Sequence, residues 1–496
     1  MDSTISLRPG VPDDDNRDYL PERLRDSDIV VNENGNNSQP YPDRLQEHRE
    51  ILGDGVEHIW YSYVPERYTP GTPTPLVVSV HGGLMTGWGQ AVYSSWTLVA
   101  EREGFIVVFP NATSRRMWTL DVPRRFVAEA TAHNDLGIYL DPPADNPDDF
   151  ADARFFTELI EWASTRFTID PGRIFIQGMS MGNSMSDQFA RRNGRLLAGA
   201  AGSGGPSSLG LLYDGENRPV NDGGPVPAWL TICEYDTAPP FACGTEREVI
   251  RGNRDYWRLI NGATGLPAIR VDGHDNFAYY DGEHAPVIFR DVKNRDHGQT
   301  FDDAEIVWSQ LFSGVQRARD GSITVTQPAE PRRGDIAAVA VAAGRRSAWV
   351  RNGVTSVGGT AIVKHAWKYH GLGGEQISRG EHILVPVQFL AAAFGGSVTE
   401  EEGGDMAAWD APDGRRLEFA RGSIACLIDG RIHAMTVQAD RSTDQLYVAL
   451  EWVATHVLGL FASTCEGVLY LTDHHALLSK HMAHLVDDIL AETDGS

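Results

Sequence analysis

The sequence predicts an α/β fold with a mostly parallel sheet, followed by a smaller α+β domain. Short apolar runs rich in β-branched residues recur between residues 76 and 292 and end in polar loops, as buried parallel strands do. Helix-like stretches follow two of these runs, at 183–192 and 304–316. Beyond about residue 331 the pattern changes to alternating strands joined by Asp-Gly turns, which indicates a second domain.

The most informative element spans residues 174–192. An apolar run at 174–176 leads into the pentapeptide G-M-S-M-G at 178–182, and a helix-like stretch follows. This order of strand, sharp turn and helix is what the G-x-S-x-G nucleophile elbow of α/β-hydrolases requires. A strained turn that lifts a serine Oγ into the open leaves no room for Cβ atoms on either side, which accounts for both glycines. The pentapeptide alone could be any tight turn, but its context predicts Ser180 as a covalent nucleophile.

An oxyanion hole is predicted upstream of the elbow. The run 76–80 has the composition of a buried strand and ends in H-G-G-L at 81–84. Glycines after a strand let backbone amides approach a developing negative charge, and each such donor is typically worth about 3 kcal/mol in the transition state. We assign the two donors to the amides of Gly83 and Met181. Alone, the same residues would be an ordinary turn; beside the elbow they favour a catalytic role.

The acid of a triad is predicted at Asp236. It follows the apolar run 228–232 and sits in a Pro-rich loop just past a strand end, where a triad acid belongs. Two other carboxylates compete with it. Glu234 lies nearer to the strand, and Asp272 ends a strand-like run of its own at 268–271.

The base of the triad is predicted at His297. It follows the apolar run 287–292, a plausible last strand, so its imidazole can reach back to the elbow and take the Ser180 proton. His274 and His284 have weaker contexts and are interpreted as ordinary solvated or core-capping residues.

Residues of roughly 55 to 315 resemble the poly(3-hydroxybutyrate) depolymerase-like esterases, a group of α/β-hydrolases that includes feruloyl and acetylxylan esterases. The likeness is carried by H-G-G at 81–83, by D-x-x-F at 152–155, and by R-F-T-I-D-P-G-R at 166–173 running into the pentapeptide. The resemblance implies hydrolysis of phenolic, acetyl or hydroxyalkanoate esters through an acyl-serine, with no cofactor. The positions that match its triad are Ser180, Asp236 and His297.

The sequence also departs from that family. Family members often carry cysteine or another small residue at the position of Gly83, and Asn-Gly-Gly where this chain has M-G-N at 181–183. The stretch 111–149 is longer than expected and contains a Pro/Asp run. Loops of this length are often lids or binding loops, so we expect the stretch 111–149 to determine substrate choice. An equally weighted alternative is that it is a surface loop with no role in binding. The predicted substrate contacts are His81, Gly82, Leu84 and Trp118.

Composition restricts the partners. The net charge of −25 argues against nucleic acid and anionic membranes, and no run of about 18 apolar residues predicts a membrane span. The expected substrate is a small-molecule or oligomeric ester.

Residues 1–46 show no apolar leader segment, so the sequence on its own favours the cytoplasm; an extracellular protein would need a leader outside it. Four cysteines are too few for a disulfide framework. Cys233 and Cys243 could form a local bridge, and free buried thiols are the alternative.

The predicted boundaries are an N-terminal extension at 1–46, a catalytic domain at 47–318, a linker at 319–335 and an accessory domain at 336–496. In the last of these, V-P-V-Q-F-L-A-A-A-F-G-G at 385–396 is repeated in altered form at 448–459. The stretch resembles the copper amine oxidase N-terminal-like domain, an accessory module that is not a metal site in its family. The resemblance implies an interaction, oligomerisation or substrate-presenting role.

The C-terminal tail carries four histidines, at 474, 475, 481 and 484, the last two on a helix predicted over 476–490. Metal binding would require more ligands, so a solvated helical face is the favoured interpretation. No zinc-type spacing of cysteine and histidine is present, and we expect no metal. Two rival functions stay open at this point: a peptidase or amidase on the same fold, and a binding protein with a degenerate hydrolase core.

Overall fold

The computed structural model describes residues 15, 17, 18, 20, 22–26, 39–122, 124, 125, 127, 128, 141–143, 145, 150–236, 243–368, 377–401 and 403–495. Most of the predicted N-terminal extension and much of the loop 111–149 therefore lie outside the described residues. The chain divides into two compact units. One comprises Met1–Gly265, Tyr279–Arg290 and Arg295–Arg332, and the other comprises Leu266–Ala278, Asp291–Asn294 and Arg333–Ser496.

The described strands up to residue 325 are β1 Leu45–Ile51, β2 Glu57–Tyr63, β3 Thr74–Val80, β4 Ile106–Pro110, β5 Ile169–Met179, β6 Gly199–Ser203, β7 Ala228–Cys233, β8 Ala268–Asp272, β9 Asp275–Tyr280, β10 Val287–Val292, β11 Val315–Arg317 and β12 Ile323–Val325. The α-helices of the same stretch are α1 Glu22–Arg25, α2 Gly87–Tyr93, α3 Trp96–Glu103, α4 Ala151–Arg166, α5 Met181–Asn193, α6 Leu209–Leu212, α7 Glu246–Asn261 and α8 Asp303–Gln310.

The sheet of the first unit follows the order β1-β2-β4-β3-β5-β6-β7-β10. The pairs β1/β2 and β2/β4 are antiparallel, whereas β3 pairs in parallel with β4 and β5, and β5, β6 and β7 continue in parallel. Every residue of β3 and β4 is buried, while β1 at the edge is largely exposed, as expected when helices cover a central sheet. The sheet order and the strand–turn–helix at Ser180 are those of an α/β-hydrolase, so the predicted fold class is confirmed.

The register of the parallel strands places their ends at one level. Val80 pairs with Gly178, Met179 with Ser203, and Ser203 with Thr231. The loops that follow β3, β5, β6 and β7 therefore open at the same edge of the sheet, which is where ligands bind in open α/β sheets.

The second unit is rich in strands. After β8 and β9 its strands are β13 Val339–Ala342, β14 Ser347–Val350, β15 Gly353–Ser356, β16 Ile362–Lys368, β17 Ile377–Pro386, β18 Ser397–Glu400, β19 Met406–Asp410, β20 Arg416–Ala420, β21 Ala425–Ile428, β22 Arg431–Ala434, β23 Asp440–Ser442, β24 Gln445–Ala449, β25 Phe461–Cys465 and β26 Val468–Thr472. Its helices are α9 Val387–Phe394, α10 Leu450–Trp452 and α11 Lys480–Gly495, with a π-helical turn at Val453–Val457.

The strands from β13 onward form three sheets, in the orders β15-β14-β13-β26-β25, β16-β17-β24-β23 and β18-β19-β20-β21-β22. Their inner faces share one apolar core, in which Leu384, Trp409 and Leu446 are fully buried. The two copies of the sequence repeat meet in this core, because Val385 of β17 pairs directly with Val448 of β24. The first copy continues into α9 and ends at Gly395 with φ of 87°, whereas the second becomes α10 and the π-helical turn.

Three details differ from the sequence-based expectations. The predicted tail helix begins at residue 480 rather than 476, because the Asp291 carboxylate accepts hydrogen bonds from the amides of His481 and Met482 and so starts the helix there. His481 is 2% exposed, so it does not belong to a solvated face. Residues 323–325 of the predicted linker form β12, which pairs with β11. No helix among the described residues is long and apolar enough to cross a membrane.

Candidate active site

The predicted elbow is present in the structure. β5 ends at Met179, α5 begins at Met181, and Ser180 between them has φ of 56° and ψ of −122°. Holding a non-glycine residue in such a region costs on the order of 1–3 kcal/mol, and it persists only where the surroundings enforce it. The Ser180 amide donates to the carbonyl of Ser203 at 2.9 Å, which ties the turn to β6.

The two glycines of the elbow are required by close backbone contacts. A Cβ on Gly178 would lie 2.0 Å from the carbonyl oxygen of Gly182, and a Cβ on Gly182 would lie 2.4 Å from the carbonyl oxygens of Val80 and His81. Backbone atoms cannot move aside as a flexible side chain can. Glycine is therefore the only residue that fits at position 178 without displacing α5, or at position 182 without displacing the end of β3.

Ser180, His297 and Asp236 form a continuous hydrogen-bonded chain. His297 Nε2 lies 2.8 Å from Ser180 Oγ, and His297 Nδ1 lies 2.7 Å from Asp236 Oδ1. A carboxylate only accepts hydrogen bonds, so Nδ1 carries the proton and Nε2 is left to accept from the serine hydroxyl. The other carboxylate oxygen of Asp236 accepts from the Gly205 amide at 2.7 Å, and Asp236 is 1% exposed.

The electrostatics favour the charged form of the imidazole. The hydrogen bond to Asp236 raises the pKa of His297 above its usual 6.5, and partial burial opposes this effect. A raised pKa makes His297 a stronger proton acceptor, and the buried Asp236 carboxylate favours the protonated imidazole.

The structure also orients the predicted oxyanion donors. The carbonyl of Gly82 accepts from His81 Nδ1 at 2.6 Å and from the Met85 amide at 3.2 Å. The trans peptide is planar, with its N–H opposite its C=O, so fixing the Gly82 carbonyl also directs the Gly83 N–H away from His81. Met181 is the first residue of α5, and its amide has no intrahelical partner. The helix N-terminus adds a favourable field for negative charge.

His81 and Trp118 do not lie where substrate contacts were predicted. Both are buried, with exposed fractions of 0% and 1%, and their polar groups are used internally. The Ala112 amide donates to His81 Nε2 at 3.0 Å, and Trp118 Nε1 donates to the His81 carbonyl at 2.7 Å. Burial lowers the pKa of His81 to about 4, so the ring is neutral. These two buried residues therefore support the backbone of the glycine loop through hydrogen bonds and do not contact a substrate.

Of the other predicted contacts, Gly82 lies beside the nucleophile. A Cβ built on Gly82 would lie 3.4 Å from Ser180 Cβ. Leu84 has a φ of 65° and is partly exposed, and its amide donates to the Arg116 carbonyl at 2.9 Å. A Cβ on Gly83 would lie 3.2 Å from Met117 Sδ and 3.6 Å from Met181 Sδ, so two thioethers flank this glycine.

The competing acids and bases lie elsewhere. His297 Nδ1 bonds to Asp236, not to Glu234, and Asp272 is paired with Arg270 at 2.5 Å. The His274 carbonyl accepts from the Lys293 amide at 2.8 Å, and the His284 amide donates to the Asn261 carbonyl at 3.1 Å. Among the described residues, the ring hydrogen-bonded to Ser180 Oγ is that of His297. Cys233 and Cys243 are not joined by a disulfide bond.

No protein-family model matches the chain. It is 28% identical over 178 residues to a probable acetylxylan esterase A of Neosartorya fischeri, covering 35% of this chain and 40% of that protein. It is 27% identical over 187 residues to acetylxylan esterase A of Aspergillus awamori, covering 37% and 51%. The chain thus spans about two fifths to one half of the length of these two relatives. The solved acetyl xylan esterase from Aspergillus awamori aligns with a TM-score of 0.39 at 17% identity, covering 53% of this chain and 98% of that one.

The D-x-x-F motif at 152–155 supports the glycine loop from a distance. Asp152 is fully buried and accepts from the amide and hydroxyl of Thr113, at 3.0 and 2.7 Å, and from the amide of Thr119 at 2.7 Å. It thereby fixes residues 113–119, which supply the Arg116 carbonyl and the Trp118 indole to the loop at 81–84.

Sequence reasoning missed the residues that hold the His297 loop. Gln177 Nε2 donates to Gln299 Oε1 at 3.0 Å, and the Gln299 amide donates to the Tyr93 hydroxyl at 3.0 Å. Both glutamines are buried, at 0% and 2% exposed. It also missed Gly205, which follows β6 with φ of 73° and carries the amide that binds Asp236. The sequence did offer a signal for this role. Gly204 and Gly205 directly follow a strand, as Gly82 and Gly83 follow β3 closely.

One group of three metal-type ligands occurs among the described residues, in the second unit: Asp335, Asp473 and His474. Its atoms are already engaged. Asp335 Oδ2 accepts from Tyr470 Oη at 3.0 Å, and the two nitrogens of His474 lie 2.9 Å from Asp473 Oδ1 and 2.8 Å from the Val271 carbonyl. The three side chains therefore belong to a hydrogen-bonded cluster.

Proposed function

We propose that the first unit is a serine carboxylic-ester hydrolase that works through an acyl-serine intermediate. The observation that carries the proposal is the unbroken chain from Ser180 Oγ through His297 to Asp236, at 2.8 and 2.7 Å, with the serine on a strained elbow. Nucleophile, base and orienting acid at these distances are the geometric requirement for acyl transfer.

In the proposed reaction Ser180 Oγ attacks the ester carbonyl while its proton passes to His297 Nε2. The oxyanion of the tetrahedral intermediate is held by the amides of Gly83 and Met181. His297 then gives the proton to the departing alcohol. Water repeats the sequence on the acyl-serine, and the freed acid leaves with Ser180 restored. No cofactor takes part.

For the substrate we propose an acetyl or phenolic ester, with hydroxyalkanoate esters as the remaining class. The acetyl class is supported by the similarity to acetylxylan esterases. The thioethers of Met117 and Met181 lie beside Gly83 and so place apolar surface next to the proposed oxyanion donor.

We also propose that residues 47–318 supply the catalytic site and that 336–496 act as an accessory element. Support comes from the placement of Ser180, Asp236 and His297 within the first unit. The likeness of 385–396 to the copper amine oxidase N-terminal-like module favours an interaction, oligomerisation or substrate-presenting role.

The test is labelling by a fluorophosphonate, with peptide mass spectrometry to locate the adduct. We expect wild type to be labelled at Ser180, Ser180→Ala to be unlabelled, and His297→Ala to be labelled far more slowly. Turnover of aryl acetate by Ser180→Ala should fall by roughly 10⁶-fold, because triad members act as a unit. A well-folded wild type that resists labelling would support the degenerate binding protein instead.

Matched ester and amide substrates with one acyl group separate an esterase from an amidase. We expect the enzyme to hydrolyse the ester much faster than the amide, by a ratio larger than the ratio of the two uncatalysed rates. Equal acceleration of both would favour the peptidase or amidase. Comparing acetyl, feruloyl and hydroxybutyryl esters of the same alcohol then assigns the acyl class.

A further inference from the structure

The second unit carries a pair of histidines that ester hydrolysis does not use. His433 lies on β22, the edge strand of the sheet β18-β19-β20-β21-β22, and His456 lies in the π-helical turn at 453–457. Nδ1 of His433 lies 3.2 Å from Nε2 of His456, and His456 is exposed. Two imidazole nitrogens at this distance share either one proton or one ion.

The separation of the two nitrogens suits a metal chelate. Imidazole nitrogens bind divalent transition metals at about 2.0–2.1 Å. With the nitrogens 3.2 Å apart, such bonds would meet at the ion at roughly 100°, between a right angle and the tetrahedral angle. Both rings can turn toward a common point without backbone movement, since their terminal torsions are broad.

The surroundings fix the two backbone positions and support the His456 ring before any ion arrives. The indole of Trp452 stacks on His456, with centroids 4.9 Å apart and planes at 20°. The amide of Leu458 bonds to the Val453 carbonyl five residues earlier, which makes the turn π-helical. Such turns are rare and occur often at functional sites. The backbone of His433 is fixed by its cross-strand pairing with the fully buried Cys426.

We propose that His433 and His456 form a binding site for a divalent transition metal, with an order of affinity Cu²⁺ above Ni²⁺ and Zn²⁺. Imidazole suits these ions, whereas Mg²⁺ and Ca²⁺ prefer oxygen ligands. The described residues place no third histidine, cysteine or carboxylate ligand atom within 4.8 Å of both nitrogens. The remaining positions of the ion therefore belong to water or to an added ligand. The proposal does not depend on the esterase assignment.

The experiment is calorimetric titration of the full-length protein with Cu²⁺, Ni²⁺, Zn²⁺ and Mg²⁺. We expect one equivalent of Cu²⁺ to bind, Ni²⁺ and Zn²⁺ to bind more weakly, and Mg²⁺ to give no signal. His433→Ala and His456→Ala should each weaken Cu²⁺ binding by roughly tenfold or more, since even outer-shell partners of a metal ligand contribute that much. The matched control is His365→Ala, another surface histidine of the same unit, paired with Glu381 at 3.3 Å, which should bind as wild type does.

Two spectroscopic readouts place the ion. Electron paramagnetic resonance of the Cu²⁺ complex should show two nitrogen ligands in wild type and one in either alanine variant. Copper should also quench tryptophan fluorescence less in Trp452→Phe than in wild type, because Trp452 stacks on a ligand. Binding that persists in both histidine variants overturns the proposal, and loss of that binding in His474→Ala would assign the ion to the cluster of Asp335, Asp473 and His474. A wild type that binds no Cu²⁺ shows that the pair is only a hydrogen bond.

Discussion

At the scale of single residues, the protonation of His297 decides when the proposed site can act. Its imidazole must be neutral to take the Ser180 proton, yet the hydrogen bond to Asp236 raises its pKa above 6.5. The same pair affects stability with the opposite sign. A folded-state pKa above the unfolded value stabilises the fold at pH below the unfolded pKa, and this contribution is lost as pH rises through the folded pKa.

This coupling predicts the pH profile. We expect kcat/KM for an aryl ester to fall on the acid side with a midpoint above pH 6.5. Asp236→Asn should move that midpoint to lower pH and reduce the rate by about 10⁴-fold, because the amide neither supports the imidazolium nor fixes the tautomer. The measurement is kcat/KM from pH 5 to 9 for both proteins. An unchanged midpoint in the variant would show that Asp236 is not the partner that sets it.

His81 carries the second prediction at this scale, as a positioning residue for the oxyanion donor. His81→Ala removes the Nδ1–H that fixes the Gly82 carbonyl, so the Gly83 amide loses its orientation. We expect kcat to fall by roughly 10²- to 10³-fold with little change in KM, as when an oxyanion donor is lost. His284→Ala, at an exposed position, is the control and should keep full activity. If the variant instead has a lower Tm, and its kcat returns to the wild-type value when the assay is run at a lower temperature, the role of His81 is purely structural.

Part of the site could be predicted from the sequence because its information is local. Ser180, Asp236 and His297 each follow an apolar run, and a strand end is visible without the fold. Gln177 and Gln299 could not be found this way, because they meet across 122 positions of the chain and only sheet packing joins them. His81 was predicted to contact substrate, but its side chain is buried beneath the glycine loop. Residue spacing does not show which groups of a turn face outward.

At the scale of elements, the elbow is the most constrained feature of the first unit. α5 begins within contact distance of the end of β3, and this approach is open only because residue 182 has no side chain. In the second unit, the two copies of the sequence repeat, 385–396 and 448–459, form different helical elements. The two copies share their apolar pattern, but only the second forms the π-helical turn, which periodicity of apolar residues does not specify.

The elbow yields a matched pair of glycine substitutions. Gly182→Ala puts a Cβ 2.4 Å from two backbone carbonyl oxygens, so we expect it to destabilise the fold by about 3 kcal/mol or more and to abolish fluorophosphonate labelling. Gly215→Ala puts a Cβ into open space and should change the free energy of unfolding by less than about 1 kcal/mol, with labelling intact. Chemical denaturation and labelling of both variants measure this. Similar stabilities would mean that the backbone at residue 182 relaxes freely.

At the scale of the whole molecule, the two compact units are interleaved along the chain. The sequence predicted a boundary at a linker, 319–335, because composition changes there. The second unit, however, also includes residues 266–278 and 291–294. These segments bond to its C-terminal part: the Asp335 amide donates to the Ile269 carbonyl at 2.7 Å, and Asn276 Nδ2 donates to the Leu477 carbonyl at 3.0 Å. A sequence shows where composition changes but not which earlier segment a later one packs against.

Interleaving predicts that the catalytic portion cannot be cut free at the linker. A chain ending at residue 335 would keep 266–278 and 291–294 but lose the partners of these segments that lie further along the chain, such as Asn352 and Leu477. Ile269 and Val271, both fully buried, would be exposed, and the Asp291 carboxylate would lose the two amides that it caps. Lost apolar burial and lost hydrogen bonds both lower stability, so we expect the truncated protein to be poorly recovered and to show a lower Tm than the full chain. Calorimetry of both, with labelling of Ser180 as a check on the site, measures this. A truncated chain with unchanged Tm and labelling would show that these segments are held within the first unit, and that the linker is a true boundary.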